Sequence, residues 1–169
     1  MRNARGWTLV ELIMVMVIIG ILAAFVGPVL LNAIKAYDRT QATVNTYGKM
    51  RYAMERMARE VAAVRRSAAD TTDFDVTTMT AGNLTFFKED GTQVTITLAG
   101  SNLNLTYVGT GTGVLADGVG ALTFAYYRGD GASVAANATE LGFVQISMTI
   151  SDGNTNYPNR VRVALRNLQ

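Results

Sequence analysis

The hydrophobic pattern of the chain changes twice. From Trp7 to Leu31 nearly every position is apolar, and Glu11 is the only charge. Residues 12–31 form an uncharged run of 20 residues. As a helix rising about 1.5 Å per residue, that run spans roughly 30 Å, the thickness of a bilayer core. After Asn32 polar residues return at helical spacing. Tyr37, Thr40, Val44, Tyr47, Met50, Met54, Met57, Val61 and Val64 step by three and four and make one stripe. Lys35, Arg39, Lys49, Arg56, Arg59 and Arg66 lie mostly off it. The two stretches predict one helix from Trp7 to about Arg66, ending near Ser67 where a polar turn begins. Such a helix is roughly 85–90 Å long, more than the remaining chain can bury. Its first half needs a membrane or other subunits around it.

Beyond residue 74 the period falls to two. Val94, Ile96 and Leu98 alternate with threonines, and Leu103, Leu105 and Tyr107 alternate with polar residues. The same rule holds for Leu122, Phe124 and Tyr126, for Val144, Ile146, Met148 and Ile150, and for Val161, Val163 and Leu165. This predicts five half-buried antiparallel strands. Glu89-Asp90-Gly91 and Ala99-Gly100-Ser101-Asn102 read as turns between the first of them. Residues 109–120, with five glycines, read as a flexible crossing loop. The predicted fold is α+β: a long protruding N-terminal helix whose second half, 35–66, covers an antiparallel sheet at 74–166.

Composition narrows the function. The 169 residues include no cysteine and no histidine. Disulfides and thiolate metal sites are excluded, and the usual general base and zinc ligand are missing. An enzyme is not expected, and neither a cofactor nor a metal. Net charge is +2, but residues 35–66 carry +5 and residues 67–169 carry −4. That asymmetry reads as two environments. The basic face at 49–66 reads as solvated or paired with acidic neighbours, and no nucleic acid is expected. The apolar run exceeds the roughly 7–15 residues of a signal-peptide core. Arg2 and Arg5 precede it and Lys35, Arg39 and Lys49 follow, so loop charge leaves the orientation open.

The stretch Gly6-Trp7-Thr8-Leu9-Val10-Glu11-Leu12-Ile13, behind a short basic leader, resembles the prepilin processing motif of the type IV pilin and pseudopilin family. The resemblance implies cleavage by prepilin peptidase after Gly6 and N-methylation of Trp7, which stands where the family usually has Phe. Glu11 falls at the family's glutamate and Pro28 at the proline that bends such helices. The segment 117–127 and the ending 162–167 resemble minor pilins and minor pseudopilins, including those of mannose-sensitive haemagglutinin pili. The domains implied are a leader at 1–6, a membrane and filament-core helix at 7–34, and a periplasmic head at 35–169. The partners implied are other pilin subunits, the prepilin peptidase and methyltransferase, the inner membrane and the assembly platform. The implied location is the bacterial inner membrane, spanned once, and then the pilus or pseudopilus.

The physics of these residues fits an assembly role. A lone carboxylate one turn into an apolar run costs on the order of 2–3 kcal/mol in a bilayer. A partner ammonium at Trp7, in the same or a neighbouring chain, offsets that cost and sets register. Pro28 removes a helix N–H, and Gly20 and Gly27 weaken the same region, which lets the helix bend. Other motifs carry less. Arg128-Gly129-Asp130 is turn chemistry before it is an adhesive tripeptide. Residues 152–163 start like a calcium loop but have Tyr157 and Val163 where glycine and glutamate belong. The expected function is a structural subunit, minor or initiating. The alternatives are a tip adhesin or DNA-uptake minor pilin, and a membrane-anchored periplasmic domain.

Overall fold

A computed structural model describes residues 7–70, 73–153 and 155–165. The chain divides into two compact units, Met1–Thr43 and Val44–Gln169. One helix, α1 (Leu9–Ala62), runs through the boundary without a break at Pro28. In the first unit every described residue up to Ala42 is exposed. This is the hydropathy pattern turned into structure: a helix apolar on all sides has no face to hide.

In the second unit α1 is amphipathic and buries one side. Thr46, Met50, Ala53, Met54, Met57, Glu60 and Val61 are buried, so the stripe read from spacing faces the core from Met50 onward. Tyr37, Val44 and Tyr47 belong to the same stripe but are exposed. The helix stops at Ala62, four residues short of the expected Arg66. The cause is competition for backbone hydrogen bonds. Val64 and Arg66 form antiparallel bridges with Lys88 and Phe74, and the Arg65 N–H donates to the Phe87 carbonyl at 3.0 Å.

Among the described residues eight strands follow, and they form two antiparallel sheets rather than one. The first sheet is a five-stranded meander: β1 (Val76–Met79), β2 (Asn83–Phe87), β3 (Gln93–Ala99), β4 (Asn102–Tyr107) and β5 (Gly111–Ala116). The second holds β6 (Val119–Tyr127), β7 (Phe143–Asp152) and β8 (Thr155–Ala164). The expected turns at 89–91 and 99–102 are present. Ala99 pairs with Asn102, and Gly100 takes φ +62° between them, a left-handed conformation that suits glycine.

The expected loop at 109–120 is instead mostly strand. β5 pairs with β4 from Tyr107↔Gly111 to Leu103↔Ala116, and Thr106 and Thr112 hydroxyls meet across it at 2.8 Å. Glycine lowers strand propensity, but an edge strand is held by its ladder and needs little from its side chains. β1 and β2 were not expected either. Leu84, Thr85 and Phe86 are all buried, which breaks the alternation that marks a half-buried strand.

Both sheets share one core with the second-unit part of α1. Phe86, Val94, Ile96, Leu103 and Ile146 are fully buried with Met57 and Val61. Burying such side chains contributes about 1.5–3 kcal/mol each. The sheets are joined through backbone as well. The Phe124 N–H donates to the Ala81 carbonyl at 2.8 Å, and the Tyr126 hydroxyl donates to the Thr80 carbonyl at 2.7 Å. Burial raises the pKa of that hydroxyl well above its ordinary value.

Candidate functional site

The residues expected to carry processing and assembly lie in the first unit. Gly6 lies outside the described residues. Trp7 lies before the helix and is strongly exposed, and Thr8 precedes the first helical residue. Thr8 is the N-cap of α1. Its carbonyl accepts from the Leu12 N–H at 3.2 Å, and its hydroxyl accepts from the Glu11 N–H at 3.3 Å. The Glu11 carboxylate reaches back and accepts from the Thr8 N–H at 3.4 Å and its hydroxyl at 3.5 Å. This reciprocal pair is a capping box, which satisfies two of the amide donors a helix start leaves open.

Glu11 therefore has a local partner, Thr8, in addition to the ammonium expected at Trp7. Reading the sequence for charge alone missed Thr8, although the spacing Thr-x-x-Glu was visible. A carboxylate in the first turn also interacts favourably with the helix dipole. The cap starts the helix directly after Thr8, so Trp7 stands outside it.

Further along, Gly20, Ala23, Ala24 and Gly27 fall at i, i+3, i+4 and i+7, one face of α1. A Cβ added at Gly20 or Gly27 would touch nothing within 4 Å. These glycines do not serve packing inside the chain. In an apolar environment such a face lets another helix approach closely. Pro28 stands next to it and lacks the N–H that would bond Ala24, so the local helix is weakened without being interrupted. α1 contains an 18-residue stretch of mean hydropathy 2.9, none of it buried, long and apolar enough to cross a membrane.

The second unit offers no catalytic constellation among the described residues. Among the described residues its buried charge is Glu60, which is paired within the core. Glu60 sits in the core with Oε1 accepting from the Tyr107 hydroxyl at 2.8 Å and lying 2.8 Å from Arg56 Nη2. Lys88 Nζ stands 3.4 Å from its other carboxylate oxygen. Burial raises the Tyr107 pKa, and its hydrogen bond raises that of Arg56. The basic face at 49–66 is largely paired: Lys49 with Asp117 at 2.8 Å, Arg56 with Glu60, and Arg65 with Asp75 at 2.8 Å.

Arg128-Gly129-Asp130 is a turn. Asp130 accepts from the Ser133 hydroxyl and from the Ala132 and Ser133 amides, and its pKa falls to about 2. Arg128 is held by Glu140 at 2.7 Å. Asp152 and Thr155 face each other where β7 turns into β8, and Asn154 lies outside the described residues, as does the end of the 162–167 segment. Among the described residues no three acidic groups gather as metal ligands.

Residues 1–27 match the family described as the prokaryotic N-terminal methylation motif. No curated protein matches the chain. The motif and the apolar helix behind it support a type IV pilin- or pseudopilin-like protein, cleaved as a prepilin and anchored in the membrane by its N-terminal segment. They point to a structural subunit rather than an enzyme.

Proposed function

We propose that the chain is a structural subunit of a type IV pilus or a type II secretion pseudopilus, in a minor or initiating position. The observation that carries this reading is a coincidence in one segment. The methylation motif covers residues 1–27, and the helix that starts inside it is apolar up to Leu31 save for Glu11 and exposed on every side up to Ala42. A helix of that kind folds only with a surround from outside the chain: first lipid, then neighbouring subunits. In this reading residues 1–6 are removed, Trp7 becomes the methylated N-terminus, and 7–34 insert into the inner membrane. The periplasmic head, 35–169, then travels into the filament with the helix.

Glu11 then acts twice. Before assembly its carboxylate caps the helix through Thr8. In the filament it meets the Trp7 ammonium of a neighbouring chain and sets axial register. Gly20, Gly27 and Pro28 supply the close approach and local bending that a tight bundle of helices needs. The absence of cysteine argues against a major subunit with a disulfide loop, which supports the minor position.

Mass spectrometry of the protein recovered from sheared filaments tests the processing. A chain beginning at Trp7 and carrying one extra methyl is expected; an intact Met1 overturns the proposal. Glu11→Gln tests the assembly role. Membrane level and cleavage should hold, because a neutral amide is cheaper than a carboxylate in a bilayer. Recovery with filaments should fall, because the partner ammonium is left without a counter-charge at low dielectric.

A further inference from the structure

Many surface charges of the second unit are held in ion pairs, and two of those that are not lie together. Arg51 on α1 and Arg160 on β8 are exposed and form no ion pair among the described residues. Both stand over one groove of about 300 Å³ between α1 and β8, with Met54, Ala58, Asn159 and Val161 also lining it. Glu55 is on its rim and stands 3.9 Å from Arg59. β8 is the last strand of its sheet, so the backbone groups facing away from β7 are open there. The complementary feature lies on the other sheet. Glu89 and Asp90 are exposed at the β2–β3 turn and likewise form no ion pair among the described residues. That turn belongs to the far end of the second-unit helix, where Lys88 reaches Glu60 and bridges Val64. Arg51 is nine residues before Glu60 in α1. The groove and the turn are therefore displaced by roughly 14 Å along the helix axis.

We propose that the Arg51–Arg160 groove receives the Glu89–Asp90 turn of a second copy of this chain. Charge complementarity selects the occupant, and the apolar floor of Met54, Ala58 and Val161 gives it area to cover. The two surfaces are different patches at different heights. The contact is head-to-tail, and contacts of that type propagate into open arrays unless a rotation closes them. This rests on the assembly reading above and names the surfaces through which the second units meet.

The native chain has no cysteine, which permits a clean test in cells making the full-length protein. Glu55→Cys places a thiol on the groove rim and Thr92→Cys places one at the turn, leaving all four charges intact. Co-expressing the two single variants and oxidising should give a mixed covalent pair about fivefold above either like-with-like pair. Adding Arg160→Glu to the groove variant should cut that yield about fivefold, and Glu89→Arg in the turn variant should restore it, because like charges at an interface repel strongly. Equal like-with-like pairing, or a mixed yield indifferent to Arg160→Glu, overturns the contact. The N-terminus of the same samples separates the two readings. A chain starting at Trp7 with no mixed pair overturns the contact alone. A chain still starting at Met1 overturns the processing on which it rests.

Discussion

Two stretches of one helix behave in opposite ways. The more apolar stretch, residues 9–42, is exposed throughout, whereas the more polar stretch, 44–62, buries seven residues. Total hydrophobicity does not decide burial inside this chain; its angular distribution does. Met50, Met54, Met57 and Val61 present one stripe, and two sheets cover it. The segment from Leu12 to Leu31 presents apolar side chains in every direction, and no single-chain partner can cover all of them. Its solvent must be lipid or other helices. The carboxylates follow the same division. Glu60 is held by three side chains of its own unit, whereas Glu11, among the described residues, has only the cap at Thr8.

The comparison breaks most visibly through paired truncations. Met57 is fully buried and Ile18 is exposed. Met57→Ala should destabilise the second unit by about 2–5 kcal/mol through lost contacts and a cavity. Ile18→Ala should leave it within about 0.5 kcal/mol. Urea unfolding of the detergent-solubilised chain, followed by exchange of the β3 and β7 amides, measures both. Equal effects would erase the distinction between the two stretches.

A smaller effect is expected at the buried carboxylate. Glu60→Gln keeps the side-chain shape but removes the charge that faces Arg56 and Lys88. The cost should be about 1–3 kcal/mol, the range for disturbing buried hydrogen bonds to charged groups. The same urea midpoint reads it. An unchanged midpoint would show that Arg56 and Lys88 are satisfied by water instead, which their partial exposure permits.

The smallest effect concerns acid. Ser133 and two amides hold Asp130 at about 2, Lys49 lowers Asp117, and the Ala136 amide followed by Arg128 lowers Glu140. All three favour the ionised form in the folded state, so their contribution is complete above the ordinary carboxylate range. It should fade as pH drops from the ordinary 3.8 toward about 2 for Asp130. A urea midpoint that declines across this window and flattens in Asp130→Asn is expected. These groups are at the surface, so the slope should be shallow.

What the sequence alone determined is whatever depends on periodicity and local chemistry. The long helix, the Met stripe, five strands and two turns were legible because spacing of 3.6 or 2 residues encodes which face is buried. The methylation motif was legible because it is a contiguous run of side chains. Thr8 was legible too, through Thr-x-x-Glu, once helix caps are read alongside charge.

Tertiary structure decided the rest. The helix ends at Ala62 because Phe87 and Phe74 offer Val64–Arg66 backbone partners that are distant in sequence. β5 exists because β4 stands beside it, although its glycines read as a loop. β2 escaped notice because Thr85, a polar residue, is buried and bonds Thr95 at 3.1 Å. The division into two sheets, the pairing of Glu60 with Tyr107 and Lys88, and the meeting of Arg51 with Arg160 over one groove all join residues far apart along the chain. Pattern is a property of neighbours in sequence, and these contacts are properties of neighbours in space.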